Sequence, residues 1–270
     1  MEYGINVRFF EKEIGLKRAA ELIAKAGFTQ LDYTPPVTEE NWESQMREAM
    51  RIFKGCGLSV HQTHMPFNRY GKYGNSHKLC LDRCAEATEQ MGAKYMVAHG
   101  DEFDFDRAVF SPEAALDYNH RLFLPYVERG EKIGCKVAFE TVFEDSLDRR
   151  RFTSRPEELL ALIDSYKSES AVCCWDFGHA NVSFPKEVPD RIREFGARIQ
   201  CTHLHDNTGI DAHQLPMTGD ISWRETIAAL KEIGYGGILS IEYSHGSMPA
   251  CLLENFIDLT YQTARYLWSL

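Results

Sequence analysis

Short apolar runs rich in β-branched and aromatic residues recur along the chain, separated by longer stretches whose apolar positions fall every third or fourth residue. The runs are YGINV (3–7), QLDYT (30–34), LSVHQTH (58–64), YMVAHG (95–100), KVAFET (136–141), AVCCWDF (171–177), IQCTHLH (199–205) and ILSIEY (238–243). Their near-continuous apolar character predicts eight strands buried on both faces, as parallel strands covered by helices are. Between them, GLKRAAELIAKAG (15–27) has helical spacing and closes on Gly27, while TSRPEELLALIDSYK (153–167) opens with Thr153, Ser154 and Pro156 followed by acids. SWRETIAALKEIGYGG (222–237) repeats the scheme, with Ser222 as N-cap, Glu225 three residues later and Gly234 as the stop. Strand and helix alternate with no Pro-rich linker or low-complexity break. That pattern predicts an α/β fold, a single (β/α)8 TIM barrel over residues 1–270, with a doubly wound open sheet as the alternative. No Gly-rich phosphate fingerprint follows any strand, which counts against the open sheet.

In such a barrel the C-terminal strand ends converge on one mouth. Polar residues fall there repeatedly: His64 ends the third run, His99 the fourth, Glu140 the fifth, Asp176 the sixth, His203 the seventh and Glu242 the eighth. One such residue reads as a hydrogen-bonded structural group. Six in succession imply a divalent cation, because buried carboxylates are costly unless a positive charge offsets them and neutral imidazoles bind it. In LSVHQTH, the loop-like MPFNRYG that follows favours His64 over His61 as the mouth residue. His203 and His205 share a face by period two, so the strand does not select between them. His179, three residues beyond Asp176, reaches the site or caps the next helix. Trp175, Phe177, Phe139 and Phe143 read as barrel packing, Trp223 as a pocket-lining residue, and the run Arg149, Arg150, Arg151 as a solvated loop.

Composition narrows the function classes. A formal net charge of −10 opposes non-specific binding to nucleic acid or anionic lipid. No apolar run approaches a membrane span, and the first residues resemble neither a signal nor a transit peptide, so a cytoplasmic protein is expected. The eight cysteines lack CxxC or small-domain spacing and read as buried free thiols.

The motifs AFET, WDFGHAN, HLHDN, DAHQLPMTGDISW and SIEY, in this order and at strand ends, resemble those of the xylose isomerase-like TIM-barrel superfamily, which joins sugar and sugar-phosphate isomerases and epimerases with metal-dependent apurinic endonucleases. The resemblance implies a divalent metal, Mn2+ or Zn2+ first with Mg2+ or Co2+ as alternatives, held by Glu140, Asp176, His203 and Glu242. It selects His203, followed three residues later by Asp206, and leaves His205 as a substrate candidate. His64, His99, His179, Asp211 and His213 resemble the further ligands with which the endonuclease branch binds two more ions. The acidic charge, the MTGD sequence ending at Asp220 in place of the usual G-x-G, and the similarity of HLHDNTGIDAH to sugar isomerase-like proteins favour sugars.

The resemblance therefore implies a metal-dependent sugar or sugar-phosphate isomerase or epimerase. Glu140 and Glu242 would act as acid and base on the carbon beside a chelated carbonyl, through an enediolate. His179, His205 and Arg69 are candidate hydroxyl contacts, and the loops TPPVTEENWESQ and MPFNRYGKYGN would shape the pocket. The alternatives are a multinuclear zinc phosphodiesterase or apurinic endonuclease, a keto-sugar or keto-inositol dehydratase, and a sugar-binding regulator. The expected partner is a small sugar, with no nucleic acid, no membrane and a possible homo-oligomer.

Overall fold

A computed structural model describes residues 1–68, 72–100, 105–106, 109–144 and 149–270; Arg69 lies outside the described residues. All eight predicted strands form, slightly shorter than their apolar runs: β1 Tyr3–Asn6, β2 Gln30–Tyr33, β3 Ser59–His64, β4 Tyr95–His99, β5 Lys136–Glu140, β6 Ala171–Asp176, β7 Ile199–His203 and β8 Leu239–Ile241. Each is followed by a helix before the next begins. The strands pair in parallel in chain order, with β8 returning to β1. Between β7 and β8 a parallel bridge joins Leu204 to Ile241, with Leu204 N–H donating to Ser240 O (2.8 Å) and Glu242 N–H to Leu204 O (3.0 Å). These bonds close the barrel and fix the backbone of Glu242 at its rim.

The helices start and stop largely where local chemistry dictates. Gly27 takes φ +111° after helix Leu16–Ala26, and its N–H bonds to carbonyls of the last turn, a conformation open to glycine at little cost. Pro156 sits in the first turn of Pro156–Ser165, where a missing N–H costs nothing. Ser222 stands at the N-cap of Trp223–Glu232 as expected, yet its side chain makes no capping bond.

Two apolar clusters divide the core. The larger lies between strands and helices and includes Phe10, Phe53, Phe123, Phe139, Trp175 and Phe195. The smaller, of Val97, Ala138, Val172, Cys174 and Cys201, fills the barrel interior. These five residues stand two positions before His99, Glu140, Asp176 and His203, or four before Asp176, so the strand period aims all of them inward. Small side chains therefore form a dry floor, and a polar layer sits directly above it. Six of the eight cysteines are buried free thiols; Cys56 is half-buried and Cys251 exposed. No described helix is long and apolar enough to cross a membrane.

Phe139 shows how the outer core carries the site. It is fully buried, stacks on Tyr166 (centroids 5.4 Å) and meets Phe123 edge-on (5.3 Å), and so anchors the strand that ends at Glu140. Phe139→Ala is expected to destabilise the fold by about 3–5 kcal/mol, measured by denaturant unfolding. A loss below about 1 kcal/mol would show that the outer core collapses freely around β5.

Candidate functional site

Strand register brings the polar ends together in pairs. His99 is the Cα partner of Glu140 across β4 and β5, and Asp176 that of His203 across β6 and β7. Ligand atoms of Glu140, Asp176, His203 and Glu242 lie within 4.8 Å of one another, and all four residues are buried. His203 is thus the residue of its strand that enters the cluster. Its Nδ1 stands 3.2 Å from Glu140 Oε1, 3.0 Å from Glu242 Oε2 and 3.9 Å from Asp176 Oδ2. His205 lies one layer outward, with Nε2 3.0 Å from Asp176 Oδ1.

Two further groups adjoin this one. His64, His99 and Glu140 form the first, and His179, His205, Asp211 and His213 the second, each with ligand atoms within 4.8 Å. His64, His99, His179, His205, Asp211 and His213 thus join Glu140, Asp176, His203 and Glu242 at the mouth. His213 does so at φ +44°, in the left-handed region that non-glycine residues seldom occupy; there its Nδ1–H donates to Glu242 O (3.0 Å) and Nε2 lies 3.4 Å from Asp211 Oδ1.

Three residues central to this geometry escaped the sequence reading. Asp32, fully buried on β2, places Oδ2 2.8 Å from His203 Nε2 and accepts from Gln62 Nε2 (3.3 Å), so it orients the ring whose other nitrogen faces the carboxylates. Asn6 Nδ2 donates to Glu242 Oε1 (3.3 Å). A carboxylate inside the strand-forming run QLDYT was the available signal for Asp32. Arg151 is the third, and it corrects the reading of the arginine run as a solvated loop. Arg151 is buried in the mouth, with Nη1 donating to Phe143 O (3.0 Å) and Nη2 to His99 Nδ1 (3.3 Å). Arg150 is buried too, paired with Glu158 (2.5 Å) and Glu144 (2.7 Å). Phe143, read as barrel packing, instead lines the mouth against His179. Trp223, read as pocket-lining, is buried against Phe177 with its Nε1 donating to Asp206 Oδ2 (2.7 Å).

Asp206 is a loop clamp. Its carboxylate also accepts from the N–H groups of Asn207 (2.9 Å), Met217 (2.8 Å) and Ile221 (3.3 Å), which ties the segment bearing Asp211 and His213 to the end of β7. Gly219 is needed for this closure, since a Cβ there would lie 2.3 Å from Asp206 Oδ1. At Gly178 a Cβ would lie 1.9 Å from the His205 ring, so only glycine lets that imidazole reach Asp176.

Burial alone would raise the Glu140 carboxyl and lower the imidazoles, yet their proximity reverses both effects. Against its burial, Glu140 is held well below the usual carboxylate range by His203, His99 and His179. Asp176, likewise buried, is brought down to about 2 by His179 and His205. Conversely, burial disfavours the His179 proton but Asp176, Glu140 and Asp211 raise it to about 10. His203 is pushed up in the same sense by Glu242, Glu140 and Asp32, and His64 by Glu140. The cluster is short of positive charge, and its imidazoles supply it as protons. Both ring nitrogens of His203 are buried against carboxylates without a well-directed hydrogen bond, and Nδ1, which faces three of them, marks where a cation fits this donor set.

Above the cluster lies a cavity of about 620 Å³. The loop segments Thr34–Glu39 and Met65–Phe67 wall it, as expected of the loops after β2 and β3, together with Arg8, Phe9, Phe143 and Arg151. Glu140 and Glu242 line it, whereas Asp176 and His203 hold the cluster from beneath. A cavity of about 650 Å³ at the other end of the barrel includes His61 but none of the site residues.

The sequence profile of the xylose isomerase-like TIM barrel family matches residues 20–263. The uncharacterized protein MJ1311 of Methanocaldococcus jannaschii is 34% identical over 252 residues, which cover 90% of this chain and 83% of that protein. Among solved structures, a D-tagatose 3-epimerase-like protein superposes with a TM-score of 0.75 at 22% identity over 97% of each chain. D-psicose 3-epimerase, solved in the presence of D-fructose, superposes with a TM-score of 0.81 at 13% identity over 100% of both chains. Matched along most of its length by the family profile and by a relative of this identity, the chain belongs to the xylose isomerase-like TIM barrel family.

Proposed function

We propose that this protein is a divalent-metal-dependent isomerase or epimerase of a small sugar or sugar derivative. One observation carries the reading: of the four residues in the principal cluster, only the two glutamates reach the cavity. That is the division of labour expected if Asp176 and His203 serve binding alone while Glu140 and Glu242 also handle protons. The cavity suits a single sugar in volume, and its aromatic and polar walls suit stacking and hydroxyl contacts. The likeness in fold to D-psicose 3-epimerase and L-ribulose 3-epimerase supports the same substrate class.

A divalent ion at Glu140, Asp176, His203 and Glu242 supplies Lewis-acid polarisation of substrate oxygens. The chain does the rest. Glu140 is ringed by imidazoles, with His64 Nε2 (3.1 Å) and His99 Nε2 (3.3 Å) at Oε2 and His179 and His203 at Oε1. Among the described residues Glu242 pairs only with Asn6 and His203, so it is the freer carboxylate to take a proton from the substrate carbon. With Glu140 returning a proton on the opposite face the outcome is epimerisation; with Glu242 shuttling one proton between neighbouring carbons it is aldose–ketose isomerisation.

A second reading, a multinuclear phosphoester hydrolase, is favoured by the additional ligand groups, above all His179, Asp211 and His213, whose rings direct Nδ1–H to the carbonyls of Thr141 (2.9 Å) and Glu242 (3.0 Å) and leave Nε2 toward Asp211. Metal content separates the two. Asp176→Ala and His203→Ala are each expected to abolish tight binding of one ion, and His213→Ala to retain it, by elemental analysis of dialysed protein. Several ions per chain together with cleavage of abasic-site DNA would favour the hydrolase. Normal metal content in both of the first two variants would remove the proposed centre.

Metal uptake is expected to strengthen as pH rises from about 6 to about 9. Burial disfavours the His179 proton, but Asp176, Glu140 and Asp211 raise the imidazole to about 10 against an ordinary 6.5, so its contribution to stability is complete below 6.5 and is lost as pH climbs through 10. The ion must displace such protons. Calorimetry in two buffers of different protonation enthalpy should register proton release, and an affinity that does not change with pH would contradict the charge balance argued here.

Glu242→Gln keeps the size and one coordinating oxygen but removes the basic carboxylate. Turnover of the cognate sugar is expected to fall on the order of 10²-fold or more while metal is largely retained. Full activity would reduce Glu242 to a structural ligand.

A further inference from the structure

We propose that Glu11 reads the end of the substrate remote from the principal cluster, accepting hydroxyl groups there and excluding a phosphate or carboxylate, so that the substrate is an uncharged sugar. The inference rests on the reading of the mouth as a sugar site and narrows it. Glu11 lies in the helix Arg8–Ile14 that follows β1, and it lines the cavity above the cluster. Its backbone is tied to the reacting groups. Arg8 N–H donates to Asn6 Oδ1 (3.0 Å), Asn6 Nδ2 donates to Glu242 Oε1 (3.3 Å), and Glu11 N–H closes the first turn on Val7 O (3.0 Å). Among the described residues, Glu11 nevertheless belongs to none of the three groups able to hold an ion.

The Glu11 side chain is half-buried, and among the described residues it accepts no hydrogen bond and enters no ion pair. Burial pushes its carboxyl up from the ordinary range, with Lys12 pulling the other way, and its charge adds to the burial that raises the Tyr33 hydroxyl. A carboxylate so placed is costly unless something in the cavity donates to it. Sugar hydroxyls do, whereas a phosphate or carboxylate brings further negative charge. The cations of the same wall are poorly placed to reverse that preference. Arg8 and Lys72 are exposed, with their charges over the rings of Phe9 (5.9 Å) and Tyr73 (5.3 Å), where solvent screens them, and the exposed Glu39 stands on the same wall. Arg151, the buried cation of the mouth, is directed at Phe143 O and His99. Phe9 lines the cavity beside Glu11 and meets the His213 ring (5.9 Å), so one helix offers a ligand both an apolar face and an acceptor. A sugar ring, apolar on its faces and polar at its edge, requires that combination.

The test compares D-psicose, D-tagatose and L-ribulose with their terminal phosphate esters as substrates of the manganese-loaded full chain. The wild type is expected to turn over at least one free ketose with kcat/KM about 10-fold or more above that of its ester. Glu11→Gln, which keeps the size and removes the charge, should narrow that preference about 10-fold, chiefly by raising KM for the free sugar and lowering it for the ester. Glu11→Asp, which keeps the charge, should retain most of the preference. Manganese content of both variants should match the wild type, since Glu11 holds no ion. A wild type that prefers the ester would overturn the proposal, as would a Glu11→Gln protein of normal metal content whose preference is unchanged. An equal loss on both substrates, confined to kcat, would also overturn it, because that is the mark of a structural role. If Glu11→Gln does not fold, Glu11→Ser, which also removes the charge, is read in the same way. Failure of the underlying reading appears differently, as no turnover of any of these sugars in either form, and removes the inference with it.

Discussion

Five carboxylates, Asp32, Glu140, Asp176, Asp211 and Glu242, meet at one end of a barrel, and four of them are buried. Such a gathering is prohibitive without compensating charge. Interleaved imidazoles answer it: His203 lies among four of the acids, His179 links Glu140 to Asp176, and His205 closes on Asp176. The arrangement is stable only while something positive occupies it, either protons on the rings or a cation in their place. On the proposed reading, affinity for a divalent ion would be the other face of the cost of burying these acids.

The scaffold meets this electrostatic demand with rigid geometry. Parallel register sets His99 beside Glu140 and Asp176 beside His203, and the bridge across β7 and β8 sets the height of Glu242. Below them, a floor of small apolar side chains excludes the water that would weaken the charge interactions. Above them, the loop after β7 is gathered by Asp206, which binds three backbone N–H groups and an indole to bring Asp211 and His213 inward. The left-handed conformation of His213 is strain held by that closure, as is common where side chains must be aimed at a site.

Within the mouth, the groups around Glu140 are not equivalent. His64 and His179 each direct Nδ1 at a backbone carbonyl, whereas His203 sets Nε2 against the Asp32 carboxylate.

Much of this protein was legible before folding. Continuous apolar runs separated by helical periods specify a parallel sheet covered on both faces, and the lack of a Gly-rich phosphate fingerprint after any strand favoured a barrel over an open sheet. The identity of each residue at a strand end placed His64, His99, Glu140, Asp176, His203 and Glu242 at one mouth, since a barrel sends every such end to the same face. Tertiary structure decided what depends on neighbours distant in sequence. Asp32 supports His203 from a strand 171 residues earlier in the chain. Arg150 and Arg151 look like a solvated run of charge, yet Glu158, Glu144, Phe143 and His99 draw them inside. Periodicity records which face a residue takes, but the partner that meets it there, and so the tautomer, the charge and the role of the side chain, exists only once the strands have closed.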